Sequence, residues 1–357
     1  MNSLTPSKKT PKPRLVNKVD RRLLLQQMQQ NIEPRTTLSF YRYHRLENPS
    51  AFRNELFQKL DALQVMGRIY VASEGINAQI SIPTTGFDQL KEVLYSYHWL
   101  DNTRLNVAVD DDGKSFYKLR ITVKNKLVAD GLNDDTFDVT NRGTHLNAVD
   151  FNEMTDRPNT ILVDMRNHYE TEVGYFEGAI LPDVTTFREA LPVVSELLAG
   201  HKDKNIVMYC SGGIRCEKAS AYYRHHGFEH VFQLEGGIIE YARQAEAQGL
   251  ENKFRGVNFV FDERLGERIS SDIVSKCHQC GSTSDRHVNC VNDACHLLFI
   301  QCERCAEKFQ NSCGAQCHEH ISLPEETRLE ARKNIVFNGF KYGKGRYRSF
   351  NGSELLK

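Results

Sequence analysis

Eight of the ten cysteines in this 357-residue chain fall between Cys277 and Cys317, and that crowding constrains the fold more than any other feature. They form four pairs: Cys277-x2-Cys280, Cys290-x4-Cys295, Cys302-x2-Cys305 and Cys313-x3-Cys317. Each pair can present two thiolates to one tetrahedral ion, so eight thiolates predict two structural zinc ions. An iron–sulfur cluster or disulfides are the rival readings. Spacing leaves the ligand pairing open between sequential sites and interleaved ones, in which the first pair joins the third and the second joins the fourth. His278, His287, His296, His318 and His320 stand close enough in sequence to replace a cysteine.

The rest of the composition is that of a folded protein. A chain of 357 residues has room for about two domains of ~100–200 residues. Hydrophobic residues make up 40% and charged residues 26%, which excludes a mostly disordered chain. Lys+Arg and Asp+Glu both number 46, so no global field draws the protein to nucleic acid or a membrane, and any electrostatic specialisation must be local.

Residues 1–35 read as a basic flexible tail, the first 22 carrying seven Lys/Arg against one Asp. They lack the apolar core of a secretory signal, and no apolar run approaches the ~18–20 residues of a spanning helix, which predicts a cytoplasmic protein. Residues 36–132 follow the order β-α-β-β-α-β: TTLSFYRY, PSAFRNELFQKLDAL, GRIYVAS, INAQISI, TGFDQLKEVLYSY, LNVAV. That is the order of a ferredoxin-like α+β domain, here with KLRITVKNK as an added strand. Polar residues 133–158 read as a linker. Residues 159–250 alternate strand and helix, with HYETEVGYF as a short helix and GAILP as a strand, which predicts a parallel-sheet α/β domain. Residues 251–320 form the small cysteine-rich zinc-binding region, and 321–357 a basic aromatic tail.

The two remaining cysteines lie in NIVMYC-SGG-IRCEKAS. Cys210 ends an apolar strand, Ser211, Gly212 and Gly213 follow, and a helix begins at Ile214. The glycines let successive N–H groups turn inward as an anion nest, and the helix N-terminus and Arg215 add positive charge. A thiolate or persulfide there is favoured over its neutral form, which makes Cys210 and Arg215 the catalytic candidates. Cys216 could face the loop as a second, resolving thiol or pack on the sheet as a small hydrophobe.

Together with VDMRNHYE (Asp164, Arg166, Glu170), GYFEGAI and QLEGGIIEY, this loop resembles the rhodanese-like family. The resemblance implies a Cys210 persulfide, with Ser211, Gly212, Gly213 and Ile214 shaping the loop and Asp164 and Arg166 bracing it. Four residues separate Cys210 from Arg215, one fewer than in phosphatases of that fold, which argues against a phosphatase. GRIYVASEGINAQIS, DDDGKSFYKLRITVKNKLVADG, MYCSGGIRCEKASAYY, LEGGIIEYAR and NFVFDERLGERIS are together similar to the bacterial tRNA uridine(34) hydroxylase family. This likeness runs from roughly Leu38 to His320, with Ser211 where threonine is common.

It implies a tRNA-modifying enzyme that forms 5-hydroxyuridine at the wobble position with molecular oxygen as co-substrate. A sulfur donor protein is a further partner if the persulfide is the working species. The alternative is a general rhodanese-type sulfurtransferase serving a small-molecule or protein acceptor, for which the extra domains are not needed. The sequence carries no flavin or haem motif. Between Arg332 and Arg348, six Lys/Arg and no acid stand among Phe337, Phe340, Tyr342 and Tyr347, the makeup of an RNA-contacting segment. GRIYVASEGINAQIS and KLRITVKNK are further candidates for RNA contact.

Overall fold

The computed structural model describes residues 15, 19–132, 137–292, 294–333, 346 and 347. Most of the basic N-terminal stretch and most of the basic aromatic stretch after Arg332 lie outside the described residues. Within the expected N-terminal tail, α1 (Arg21–Gln30) is helical, with Leu24 and Met28 buried one turn apart. The described residues divide into two compact units.

The first unit takes in residues up to Thr37, Tyr41–Thr103 and Phe116–Leu127. Its elements are β1 (Arg35–Tyr43), α2 (Pro49–Ala62), β2 (Met66–Ala72), β3 (Gly75–Pro83) and α3 (Phe87–Tyr95). After the short β4 (Asn106–Val107), β5 (Leu119–Val123) completes it, and the strands lie in the order β1-β3-β2-β5. α2 begins where Pro49 supplies a preset φ and the Asn48 side chain accepts the Ala51 N–H. β2 and β3 form an antiparallel hairpin from Met66↔Ser81 to Ala72↔Gly75, and β5 runs parallel to β2. Alternation buries Ile69, Val71, Ala78, Ile80 and Ile121 on one face, on which α2 packs through Leu56 and Leu60.

The second unit comprises Leu38–Phe40, Arg104–Ser115 and the chain from Val128. In it Leu38 and Ser39 pair antiparallel with Val107 and Asn106 of β4. β6 (Thr144–Leu146), α4 (Ala148–Thr155), β7 (Thr160–Asp164), α5 (His168–Thr171) and β8 (Gly174–Phe176) come next. α6 (Phe187–Leu197), β9 (Asn205–Tyr209), α7 (Ile214–His225), β10 (Val231–Leu234) and α8 (Gly237–Gln248) complete the α/β core. Its sheet is parallel, in the order β6-β10-β9-β7. Along β9 the alternation is strict: Ile206 and Met208 join Leu191, Val194 and Tyr223 on one side, and Val207 and Tyr209 join Phe151, Ile238 and Tyr241 on the other.

Two local readings differ from the structure. Residues 144–155, inside the stretch read as a linker, form β6 and α4. The helix is capped by Asn147, which accepts the Asp150 N–H at 2.9 Å, and its buried residues Ala148, Phe151 and Met154 are spaced by three among polar neighbours. The stretch HYETEVGYF holds only the short α5 and then β8, while GAILP contributes a single bridge, Ile180 to Val163. β8 pairs instead with β11 (Phe254–Asn258), which also carries β12 (Glu267–Arg268). The cysteine-rich region holds the hairpin β13 (His287–Asn289) and β14 (Leu298–Ile300), then α9 (Glu303–Phe309) and α10 (Ala315–Ile321), and α11 (Glu325–Lys333) forms at the start of the stretch read as a basic aromatic tail. No helix among the described residues is long and apolar enough to cross a membrane.

Candidate active site and metal centres

Cys210 sits at the carboxyl end of β9, where the parallel sheet delivers its chain to the first turn of α7. Gly213 holds φ +97° as the residue before α7, a conformation costly for any side chain, and its N–H donates to Cys210 Sγ at 3.2 Å. The loop is also sewn to the start of α8. Ile238 donates its N–H to the Cys210 carbonyl at 3.1 Å and Ile239 donates to the Ser211 carbonyl at 3.3 Å. That approach requires Gly237, whose φ is +67° and where a Cβ would lie 2.5 Å from the Cys210 carbonyl oxygen.

Burial alone would push the Cys210 thiol up. The Cys216 thiol, the Arg215 charge and the backbone N–H groups of Cys216 and Arg215 outweigh it and hold the group down at about 5. Cys216 is the complementary partner: burial and its hydrogen bond to Cys210 raise it well above the ordinary thiol range, so it stays a protonated donor. Cys216 packs in the core beside Met208 and Ala219 and also faces the loop.

Arg215 is clamped rather than free to swing. Its guanidinium donates to both oxygens of Glu170, at 2.7 and 2.8 Å, in a buried bidentate pair. Glu170 is itself placed by α5, where its carboxylate accepts the Asn167 N–H at 3.1 Å in a capping box. Ser211 lies between them, its hydroxyl 3.4 Å from Glu170 Oε1. Asp164 and Arg166 form a separate, fully buried pair at 2.7 Å, and Arg166 donates onward to the Gly174 carbonyl at 2.7 Å. They tie the end of β7 to the start of β8, and neither side chain hydrogen-bonds Cys210 among the described residues.

From the sequence Glu170 stood in the VDMRNHYE motif without a role of its own, and nothing singled out Gly237, Asn106 or Asn258. The place of Glu170 three residues after Asn167 is a capping-box signal that could have assigned it one. Asn106 donates to the Gly212 carbonyl at 3.4 Å, a contact across 106 positions that no local signal announces. Asn258 is wholly buried with both amide atoms unpartnered, opposite Glu267, which burial raises to about 7.

The cysteine-rich region gathers its eight thiols into two sets, Cys277, Cys280, Cys302 and Cys305, and Cys290, Cys295, Cys313 and Cys317. This is the interleaved pairing. Within each set the four sulfurs lie within 4.8 Å of one another, and Cys280–Cys302, Cys295–Cys313 and Cys313–Cys317 are each 3.6 Å apart. A tetrahedral ion with ~2.3 Å metal–sulfur bonds needs sulfurs about 3.8 Å apart, so both sets fit one. Both consist of cysteines alone. His278 pairs instead with Glu172 at 2.6 Å, burial lowers His287 to about 4, and His318 lies 3.2 Å from the Phe309 carbonyl. The described part of the C-terminal stretch packs here too: Tyr347 stacks 5.7 Å from Phe299, and Arg346 bonds Asp183 at 3.0 Å.

A parallel sheet that ends in a glycine-lined cysteine loop, with the thiol held as thiolate, defines a rhodanese-like domain. Residues 147–244 match the family described as rhodanese-like domain, 35–127 that described as UPF0176 acylphosphatase like domain, and 255–318 that described as rhodanase C-terminal. Over nearly its full length the chain is similar to proteins named tRNA uridine(34) hydroxylase. It is 55% identical to the one from Photorhabdus laumondii, covering 95% of this chain and 97% of the relative. It is 56% identical to those from Pectobacterium carotovorum and Yersinia enterocolitica, covering 92% of this chain and 93% and 94% of theirs. The chain belongs to the tRNA uridine(34) hydroxylase family.

Proposed function

We propose that the protein hydroxylates uridine 34 of tRNA to 5-hydroxyuridine, with Cys210 as its reactive group. The observation that carries this reading is a thiolate nest set in a chain that aligns with named hydroxylases through all three regions. A sulfurtransferase with a small acceptor would need the rhodanese-like domain alone.

Hydroxylation at C5 of uracil needs an electron-rich C5, and a thiolate can create one. Addition of Cys210 to C6 forms a C–S bond and moves the C5=C6 pair onto C5 and O4 as an enolate. An oxygen species derived from molecular oxygen takes that pair to form the C5–O bond, and a cellular reductant supplies two electrons that carry the second oxygen atom off as water. Loss of the C5 proton with departure of the thiolate restores the ring. The same nest would hold a Cys210 persulfide charged by a sulfur donor protein, the other form of this cysteine that the loop favours.

Nucleoside mass spectrometry of tRNA from cells with and without the gene tests the assignment. The expected result is loss of 5-hydroxyuridine and its derivatives at position 34, and undiminished 5-hydroxyuridine would overturn it.

Zinc suits the two cysteine sets, because soft thiolates at near-tetrahedral spacing select it. Its role there is structural, and Cys210 belongs to neither set. The proposed substrate places the protein in the cytoplasm. Residues 332–357 add basic and aromatic contacts to tRNA. Their removal should weaken tRNA binding and flatten its dependence on salt, since fewer counterions are then released. Unchanged affinity across a salt series would take this segment out of the interface.

A further inference from the structure

We infer that Asn106 is a positioning residue for the Cys210 thiolate, acting through one peptide plane of the loop. The inference rests on the reading of Cys210 as the reactive group. A trans peptide is planar, and its carbonyl and N–H point in opposite directions. The Gly212 carbonyl and the Gly213 N–H belong to the same peptide. Asn106 Nδ2 donates to that carbonyl at 3.4 Å on one side, and the N–H donates to Cys210 Sγ at 3.2 Å on the other.

Holding the carbonyl outward therefore holds the N–H inward. Without that anchor, this peptide is the part of the loop best able to turn over, because glycines stand on both sides of it and Gly213 already has a positive φ. A flip would aim a carbonyl oxygen at the thiolate in place of a donor, converting an attraction into a repulsion.

The surroundings of Asn106 suit this role. The residue is buried, and its Oδ1 has no hydrogen-bond partner. It sits in β4, where it pairs with Ser39, so its backbone is fixed independently of the loop. Two residues earlier, Arg104 bridges Glu235 and Glu240, the latter at 2.9 Å, on either side of the Gly236-Gly237 turn. The strand end is thus pinned next to the loop, and the amide is the group that reaches the peptide.

The test is the pH dependence of iodoacetamide alkylation at Cys210, followed by mass spectrometry of the Cys210 peptide in the full-length, metal-loaded protein. Asn106→Asp keeps the shape but replaces the donor by an acceptor, and Asn106→Ala removes it. Both should raise the Cys210 pKa, by about one unit for alanine and more for aspartate. Arg104→Ala, which loosens the same strand while leaving the donor itself in place, should move that pKa by less than either Asn106 variant does. A purely structural role for Asn106 would lower thermal stability in its variants without moving the pKa, and that result overturns the inference. So does an equal shift in Arg104→Ala. The readout needs no tRNA, so it can fail while the hydroxylase assignment stands. Conversely, retained 5-hydroxyuridine in a Cys210 variant would refute the reading of Cys210 and leave this pKa result in place.

Discussion

Replacing Cys210 by serine should abolish 5-hydroxyuridine formation, with a loss on the order of a thousandfold or more. A serine hydroxyl starts from an intrinsic pKa far above that of a thiol, and the supports that bring the Cys210 thiol down to about 5 cannot deprotonate it near neutral pH. The variant should fold and keep its metal, because the residue lies in neither cysteine set. Cys216→Ser should do less harm, since a hydroxyl at that position can still donate to the thiolate. The measurement is the 5-hydroxyuridine content of tRNA from cells that rely on each variant. A normal level with Cys210→Ser would reduce the loop to a structural relic.

Stripping the metal should be the other large effect. Purified protein handled under reducing, chelator-free conditions should contain two zinc ions per chain by elemental analysis. Binding to a four-thiolate site is worth about 10 kcal/mol or more, and much of that free energy is folding free energy here. The two sets alternate along the chain, with Cys290 and Cys295 falling between Cys280 and Cys302. Cys302→Ser should therefore release both ions and unfold residues 277–317 together, seen as loss of stoichiometric zinc and of protease resistance. Acidification should do the same, because thiolates must take up protons as the metal leaves. Loss of one ion with the other retained would show that the two sets are independent, and absence of stoichiometric zinc would remove the metal altogether.

Much of this was legible in the sequence where signals are local. Each element of the β-α-β-β-α-β order, the strand–Cys-Ser-Gly-Gly–helix loop and each cysteine pair declares itself within about 15 residues. What escaped depended on distance in the chain. The three-residue strand Thr144–Leu146 reads as polar linker because its partner β10 lies nearly 90 positions away. Gly174–Phe176 looked like the end of a helix for the same reason, since its partner is β11. The interleaving of the thiol sets is a tertiary fact that the spacing of the pairs leaves open. At the loop, Arg215 was visible as a charge, but its fork-to-fork engagement with Glu170 depends on how α5 and α7 are brought together.

The seam between the Cys210 loop and α8 has a consequence for how such a protein can change over generations. With a Cβ at Gly237 only 2.5 Å from one carbonyl oxygen of the loop and 2.6 Å from the next, even alanine would drive the loop's backbone away and carry the sulfur with it. The position that most restricts inherited variation beside the nucleophile is thus one that contributes no side chain at all. Ser211, half-buried with its hydroxyl between Glu170 and Arg215, leaves more room for drift. Gly237 leaves none, so a lineage could retune the polar residues around this thiolate many times over while that single hydrogen atom stayed fixed.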